Sequence, residues 1–291
     1  MIKINKVIII GAGPAGIACA VQLKRQGIDP FIIERANIGG LILNANKIEN
    51  YPGFPNGISG TLISKLLNKH LEKWNINLIK DEVIELIITN KNLYQIRCKN
   101  NLFLSEYLVF ATGTKPGLPK IKIPDNCIDK IYSEVFPLIH CKNKVIMIVG
   151  AGDAAFDYAL NLSKNNKVNI LNRTDEIKAL NLLVQNANKI KNIKYYPNTI
   201  ITDIAKEENS LQIRTKNKKK SIIFHSDYLI FAIGRVPNLD LLQSIPKKQI
   251  QNLIKTKRLF LIGDVKNNKY RQLSIAVGDG VKAAMEINNS L

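Results

Sequence analysis

This sequence of 291 residues contains few cysteines, and their spacing does not suggest a reactive pair. Its four cysteines, at positions 19, 98, 127 and 141, lie far apart and form no Cys-x-x-Cys. A chain of this length does not depend on a disulfide scaffold, and the spacing typical of zinc ligands is missing. We therefore expect buried or chemically incidental thiols and no metal site.

Long apolar runs are also missing. No stretch approaches the roughly 20 residues that a membrane-spanning helix needs. Near the start, the apolar run at residues 7–10 stops at Gly11, which is too short for a signal sequence and suits a buried strand. The sequence thus predicts a cytoplasmic globular protein of about two domains.

Acidic residues are scarce, 23 against 42 lysines and arginines, which gives a formal net charge of +19. The electrostatic field of such a positive charge speeds association with an acidic partner and also favours non-specific binding to nucleic acid. However, lysine is abundant here together with isoleucine and asparagine, a bias that genome composition alone can produce. The densest basic runs, residues 216–220 and 255–258, are predicted to be a hairpin tip and the approach to a strand. A partner-related role and a compositional origin both stay open.

The chain contains an internal repeat. Residues 105–118 read SEYLVFATGTKPGL and residues 226–239 read SDYLIFAIGRVPNL, with Ser, Tyr, Leu, Phe, Ala, Gly, Pro and Leu in the same register. Each copy lies downstream of a glycine-rich turn, GAGPAG at 11–16 or GAGDAA at 150–155, that follows an apolar run and opens a helix-like segment. Two copies of one nucleotide-binding unit are the economical explanation.

The repeat predicts an α/β fold with two Rossmann-like dinucleotide-binding domains, the second inserted into the first. Each domain is expected to have three layers, with a parallel sheet and a small antiparallel sheet. Residues 1–114 and 240–291 form the first domain and residues 115–239 the second, with Pro116 and Pro237 at the crossings. Short antiparallel strands are predicted at 83–88, 94–97, 200–204 and 211–214.

The first glycine turn indicates a dinucleotide site. Gly11 permits a tight turn, Gly13 lets the backbone approach a pyrophosphate, and Gly16 allows close packing of helix on strand. The phosphates then lie at the positive end of the helix predicted over 17–26. A strand at 31–33 leads to Glu34, the acidic partner expected for an adenosine ribose; the alternative is a solvated strand end.

The C-terminal segment favours FAD at this first site. A strand over 259–262 ends in Gly263-Asp264, and an aspartate there can accept hydrogen bonds from flavin ribityl hydroxyls. Arg271 and Gln272 precede a helix predicted over 274–287, whose N-terminus would stabilise negative charge near a reduced flavin. We therefore assign FAD to the first domain.

These motifs resemble the low-molecular-weight thioredoxin reductase superfamily over nearly the whole chain. The matching segments are GAGPAG at 11–16, GG at 39–40, ENYPG at 49–53, ATG at 111–113, GDV at 263–265, YRQ at 270–272 and GDG at 278–280. The resemblance implies a homodimeric FAD oxidoreductase, although Leu41 stands where the family commonly has Gln. The FAD contacts that the motifs and the resemblance together indicate are Gly11, Gly13, Pro14, Ala15, Glu34, Arg35, Gly40, Leu41, Asn50, Val83, Ala111, Thr112, Gly113, Gly263, Asp264, Arg271, Gln272 and Leu273.

The second domain departs from the family at the redox centre. Counting back from Gly150, the two cysteines of the family's Cys-x-x-Cys are replaced by Ser133 and Phe136, while Tyr132 still matches. Dithiol exchange needs a thiolate and a resolving thiol within reach of each other, which serine and phenylalanine cannot supply. The sequence therefore predicts that this is not an ordinary thioredoxin reductase.

The second glycine turn predicts a nicotinamide nucleotide site. No acid stands at the end of the next strand, over 168–171, and Arg173 and Lys178 keep two of the three basic places that NADPH-dependent relatives have, with Thr174 at the other. We therefore favour NADPH over NADH, the alternative being that both cations are merely exposed. The predicted contacts are Gly150, Gly152, Asp153, Ala154, Arg173, Lys178 and Gly234.

The predicted reaction passes electrons between NAD(P)H and an external acceptor. Residues 152–164, GDAAFDYALNLSK, also resemble thioredoxin-reductase-like ferredoxin–NADP reductases, so ferredoxin or flavodoxin is the favoured acceptor. Oxygen, a quinone or another small molecule is an alternative, and a non-catalytic FAD-binding redox sensor is another. Hydride transfer requires alignment rather than an acid or base, so no catalytic residue is assigned, and His70, His140 and His225 are too scattered to act together.

Overall fold

The buried apolar runs of this chain form the central strands of two separate sheets. The computed structural model describes residues 4–217 and 220–291. The strands are β1 (Ile4–Ile10), β2 (Pro30–Glu34), β3 (Asn77–Lys80), β4 (Val83–Ile88), β5 (Tyr94–Cys98), β6 (Leu102–Phe110), β7 (Thr114–Pro116), β8 (Ile131–Tyr132), β9 (Val145–Val149), β10 (Lys167–Leu171), β11 (Ile193–Tyr196), β12 (Thr199–Glu207), β13 (Ser210–Asn217), β14 (Lys220–Ser226), β15 (Tyr228–Phe231), β16 (Arg235–Pro237) and β17 (Leu259–Leu261).

Six helices accompany these strands in the described part of the chain. Helix α1 begins at Pro14, three residues before the predicted start, because proline is well suited to the first helical position, where no donor is needed. Of these helices, none is both long and apolar enough to cross a membrane. The helices are α1 (Pro14–Arg25), α2 (Gly60–Lys73), α3 (Asp153–Leu162), α4 (Asn181–Asn188), α5 (Lys247–Lys255) and α6 (Leu273–Asn288).

The chain divides into two compact units. Unit 1 contains the described residues up to Leu43, Ile48–Lys115 and Val236–Leu291; unit 2 contains Asn44–Lys47 and Pro116–Arg235. The chain thus passes from unit 1 to unit 2 between Lys115 and Pro116 and returns between Arg235 and Val236. The predicted α/β class with two Rossmann-like domains is confirmed.

Unit 1 has one seven-stranded sheet, in which six strands lie in the order β3-β2-β1-β6-β5-β4 and β17 pairs with β6. The long strand β6 pairs its first half antiparallel with β5 and its last three residues parallel with β17. Alternate residues of β1 face opposite sides. Val7 and Ile9 pack with α1 and α6, while Ile8 and Ile10 pack with the β4–β5 arm and α5. The antiparallel strands predicted at 83–88 and 94–97 therefore extend the main sheet rather than forming a second one.

Unit 2 has a five-stranded parallel sheet in the order β11-β10-β9-β15-β8 and a separate antiparallel sheet, β12-β13-β14. Ile146 and Ile148 face the core shared with α3 and α4, whereas Met147 packs with Leu211 and Ile213 of the antiparallel sheet. The basic run at 216–220 was predicted to be a hairpin tip. Asn217 pairs with Lys220 across β13 and β14, and residues 218 and 219 lie outside the described residues.

Candidate dinucleotide sites

The parallel strands of unit 1 bring their carboxyl ends to one edge of the sheet. Ile10 lies in register with Ile33 and Phe110, and Phe110 with Leu261. The residues that follow these strands therefore meet there. The N–H of Gly11 donates to the carbonyl of Ile33 at 2.9 Å, and that of Ala111 to the carbonyl of Ile10 at 2.9 Å. In open α/β sheets, this edge is where ligands bind.

The glycine turn at this edge is shaped by close backbone contacts. Gly11 has a φ of +110°, and a Cβ there would lie 2.4 Å from the carbonyl oxygen of Ala111. Gly13 instead faces open space, because its Cβ would meet no atom of the described residues within 4 Å. Helix α1 then starts at Pro14 with no described side chain capping it, so Ala15 and its neighbours present backbone donors at the positive helix end. The open space at Gly13 and the backbone donors at the start of α1 together form a cradle that fits a pyrophosphate.

Glu34 lies beside this turn and is held by two backbone donors. Its Oε2 accepts the N–H of Ala12 at 2.7 Å, and its Oε1 accepts that of Ala36 at 2.8 Å. The carboxylate is thus fixed next to the phosphate cradle, where an adenosine ribose would be expected. The side chain of Arg35 is 60% exposed, and its guanidinium lies 3.7 Å from the carboxylate of Glu82.

Gly40 also lies against the glycine turn. The N–H of Gly39 donates to the carbonyl of Ala12 at 2.8 Å, and a Cβ on Gly40 would lie 3.7 Å from the Cα of Gly13. Leu41 follows in a short 3-10 helix, Gly40–Asn44, and is half-buried. The sequence prediction for Gly40 thus falls at the cradle itself.

The C-terminal motif reaches the same edge through Gly263. A Cβ on Gly263 would lie 2.8 Å from the Cβ of Ala15, so this turn and the start of α1 touch. Asp264 lies in the single turn Gly263–Val265. The residue that holds this turn, Asp279, was not among the predicted contacts. Its Oδ2 accepts hydrogen bonds from the N–H of Gly263 at 3.1 Å and from Nδ2 of Asn267 at 2.5 Å. Its signal was the GDG motif at 278–280.

The start of α6 is tied to the segment around Asn50. Asn50 Nδ2 donates to Oε1 of Gln272 at 2.9 Å, across 222 residues of chain. Gln272 is the N-cap of α6, no described side chain caps that helix, and Leu273 is its first residue. Arg271, just before it, is half-buried. These predicted residues therefore surround one helix N-terminus.

Three other predicted FAD contacts lie just after β6 or at the start of β4. Thr112 Oγ1 donates to the carbonyl of Asn238 at 2.8 Å, and the carbonyl of Gly113 accepts the N–H of Asn238 at 3.0 Å. Both therefore help to fix the segment that returns the chain to unit 1. Val83 opens β4 in register with Cys98 and packs against the core that contains Ile10.

Unit 2 repeats this arrangement at the ends of β9, β10 and β15. Gly150 has a φ of +138°, and its Cβ would lie 2.3 Å from the carbonyl oxygen of Ala232. A Cβ on Gly152 would meet no described atom within 4 Å, and Ala154 is exposed in the first turn of α3. The carbonyl of Gly234 accepts the N–H of Gly117 at 2.9 Å, beside the same strand ends. The turn forms a second cradle.

The predicted basic residues lie on a loop that is bound to this second turn. The N–H of Lys178 donates to the carbonyl of Ala151 at 2.9 Å, and Asp153 Oδ1 accepts the N–H of Leu180 at 2.8 Å. Arg173 is exposed at the other end of the loop. Asp153 therefore anchors the loop as well as opening α3.

The positions aligned with the family's dithiol carry no thiol. Phe136 donates its N–H to Oδ1 of Asn44 at 2.9 Å, and Asn44 Nδ2 donates to Glu134 at 3.3 Å, all within unit 2. Ser133, three residues before Phe136, is half-buried. No described group of three or more His, Cys, Asp or Glu side chains could hold a metal.

All four cysteines are described and none forms a disulfide. Cys19, Cys98 and Cys127 are buried and Cys141 is half-buried. Burial raises the pKa of each thiol, that of Cys98 to about 11. Since the thiolate is the nucleophile, these thiols are poorly suited to disulfide exchange.

The carboxyl of Asp157, on α3, gives unit 2 a pH-dependent stability. Burial raises its pKa from 3.8 to about 6, although the carboxyl accepts the N–H of Asn46 at 2.9 Å. The folded state therefore binds this proton more tightly than the unfolded state, so the contribution of Asp157 to the free energy of unfolding falls as the pH rises from 3.8 to about 6 and is level above that.

We expect Asp157→Asn to remove this dependence. The free energy of unfolding of the variant minus that of the wild type should increase by about 2 kcal/mol between pH 4 and pH 7.5. Urea unfolding at both pH values measures it, with Glu208→Gln, an exposed carboxylate on a turn, as the control. A difference that stays constant with pH would contradict the assignment.

Comparison with known proteins identifies the family. The family model described as pyridine nucleotide-disulphide oxidoreductase matches residues 5–280. This chain therefore belongs to the pyridine nucleotide-disulphide oxidoreductase family. A thioredoxin reductase of Buchnera aphidicola subsp. Acyrthosiphon pisum is 30% identical over 309 residues, which cover 98% of this chain and 96% of that protein.

Solved structures agree on the fold. The thioredoxin reductase of Lactococcus lactis superposes with a TM-score of 0.87 at 24% identity, and that of T. acidophilum with 0.85 at 23%, each over 98% of both chains. Within the family, this chain belongs to the low-molecular-weight thioredoxin reductase superfamily, as its motifs predicted. FAD and a nicotinamide nucleotide are the cofactors of that type of oxidoreductase, which confirms the predicted cofactors.

Proposed function

We propose that this protein passes electrons from NAD(P)H through FAD to an external acceptor without a protein dithiol. The observation that carries the proposal is the combination of two open glycine cradles with Ser133 and Phe136 at the dithiol positions. Its relatives are thioredoxin reductases, but dithiol exchange needs two thiols within reach of each other, and this chain has no Cys-x-x-Cys and no disulfide among its four cysteines.

The residues of unit 1 fit FAD. The open space at Gly13 and the donors at the start of α1 would hold the pyrophosphate, and Glu34 would accept from the adenosine ribose. Asp264 would accept from ribityl hydroxyls. The start of α6, ordered by the Asn50–Gln272 hydrogen bond, would place positive potential against the flavin's pyrimidine edge.

The residues of unit 2 fit the nicotinamide nucleotide. The open space at Gly152 and the start of α3 would hold its pyrophosphate, while Arg173 and Lys178 would face the adenosine ribose and its 2′ substituent. When bound, the two cofactors supply hydride transfer between the nicotinamide and the flavin. The contribution of the chain is to bind and orient them, which requires no acid or base side chain.

We propose ferredoxin or flavodoxin as the acceptor. Both are acidic carriers of electrons, and the net charge of +19 would steer such a protein to this one. The proposal includes a homodimer, as the family resemblance implies, which light scattering would test. Oxygen and quinones are acceptors that the same cofactors would also serve, so they belong in any assay.

The test is anaerobic stopped-flow reduction of the FAD-loaded protein, followed by mixing with acceptors. We expect NADPH or NADH to bleach the flavin, and ferredoxin or flavodoxin to reoxidise it at a rate that falls with added salt. Thioredoxin disulfide should not reoxidise it. A Cys141→Ser variant, which lacks the one half-buried thiol, should behave like the wild type.

Three outcomes would overturn parts of this proposal. If neither nucleotide reduces the flavin, the protein is a redox sensor rather than an enzyme. If only oxygen or quinones reoxidise it, the carrier protein is wrong. Reduction of thioredoxin disulfide that is lost in Cys141→Ser would show that a thiol takes part after all.

A further inference from the structure

The loop that carries Arg173 and Lys178 is held in a fixed shape by Asn172. This asparagine directly follows β10 and is only 6% exposed. Its Nδ2 donates to the carbonyl of Glu176 at 2.8 Å and to the hydroxyl of Tyr195 at 2.9 Å. Its backbone carbonyl accepts the N–H of Thr199 at 2.7 Å. A buried amide with these partners is costly to disrupt, so the loop has little freedom.

Two further hydrogen bonds hold the loop, and one of them joins it to the glycine turn. The carbonyl of Thr174 accepts the N–H of Asn198 at 3.1 Å, and the N–H of Lys178 donates to Ala151 at 2.9 Å. The Lys178 end of this charged loop therefore lies beside the cradle at Gly150–Gly152, near where an adenosine ribose would lie.

The charges on this loop cancel. Arg173 and Lys178 are balanced by Asp175 and Glu176. Glu176 Oε2 lies 3.9 Å from Nζ of Lys178, and the two side chains are 68% and 71% exposed. A ribose 2′-phosphate needs uncompensated cations. A ribose 2′-hydroxyl, in contrast, can donate a hydrogen bond to a carboxylate.

Resting on the proposed function, we infer that Glu176 is a specificity-determining residue that lets this enzyme use NADH alongside NADPH. Its carboxylate offsets the ammonium of Lys178 and repels a 2′-phosphate, and it can accept a hydrogen bond from the 2′-hydroxyl of NADH. The wild-type kcat/KM values for the two nucleotides should therefore lie within about tenfold of each other, since the charges on this loop cancel while the Arg173 guanidinium can still pair with the phosphate.

The test is Glu176→Gln, which keeps the size of the side chain and removes its charge. At low ionic strength, the ratio of kcat/KM for NADPH to that for NADH should rise about threefold, as expected for an exposed ion pair. The change should appear as a lower KM for NADPH with kcat unaltered, because the 2′ group takes no part in the reaction.

The matched control is Asp175→Asn, which removes the same charge from the adjacent position of the same loop. We expect a smaller change, because no ion pair to Lys178 joins Asp175 among the described contacts. In a Lys178→Gln background, Glu176→Gln should alter the ratio less than it does in the wild type.

The outcomes separate this inference from the proposed function. If neither nucleotide reduces the wild-type flavin, the proposed function itself fails. If both nucleotides reduce the flavin but Glu176→Gln leaves the kcat/KM ratio unchanged, or changes it no more than Asp175→Asn does, only the role inferred for Glu176 is wrong. A wild-type preference for NADPH well above tenfold would also overturn it.

Discussion

Gly13→Ala is expected to produce a folded protein that cannot retain FAD. Gly13 has φ −76° and ψ 177°, a conformation that alanine adopts freely, and its Cβ would meet no described atom within 4 Å. The new methyl group would instead occupy the space where the backbone must approach the pyrophosphate. Overpacking of this kind costs about 1–3 kcal/mol, so FAD should bind up to about 100-fold more weakly.

The measurement is the ratio of flavin absorbance to protein after purification, followed by titration of the apoprotein with FAD. Thermal unfolding of the two apoproteins should agree closely, because the methyl group is free of steric conflict in the absence of ligand. A variant that purifies fully yellow would mean that the pyrophosphate does not lie against Gly13.

Gly16→Ala distinguishes lost binding from lost folding. A Cβ on Gly16 would lie 2.0 Å from the carbonyl oxygen of Gly11, which belongs to the backbone and cannot move aside. This variant should be destabilised even as apoprotein. Equal stability of the Gly13→Ala and Gly16→Ala apoproteins would show that the turn is more adaptable than its geometry indicates.

Gly152→Ala is expected to give a yellow protein that nicotinamide nucleotides reduce poorly. Gly152 matches Gly13 closely: its φ is −97°, its ψ is −179°, and its Cβ would also meet no described atom within 4 Å. The methyl group should weaken NADPH and NADH alike, by up to about 100-fold, because both carry the same pyrophosphate. FAD content and thermal unfolding should stay at wild-type values.

Anaerobic reduction by NADPH and NADH, followed at the flavin band, measures this. Dithionite should reduce the variant as readily as the wild type, since it needs no nucleotide site. Gly13→Ala and Gly152→Ala thus serve as controls for each other, one without FAD and the other without access for the nucleotide. If Gly152→Ala also lost its FAD, the assignment of one cofactor to each unit would be wrong.

The sequence alone was enough to predict two glycine turns, FAD and a nicotinamide nucleotide as cofactors, and the lack of a Cys-x-x-Cys. A glycine turn between strand and helix is a local feature, because the tight backbone at Gly11 and Gly150 excludes every other side chain. The internal repeat predicted that the second unit is inserted into the first, because its two copies can be read directly from the sequence. The loss of two cysteines likewise needs no structure to be seen.

The way in which distant segments complete each site depends on contacts that form only in the folded chain. Strand β6 divides its pairing between β5 and β17, Asp279 holds the turn at Gly263, and Asn50 contacts Gln272. Asn172 is a further example in unit 2, because its hydrogen bond to Tyr195 helps to fix the loop that carries Arg173. Such contacts join residues far apart in the chain, and local periodicity records which face of an element is buried but not which partner it meets.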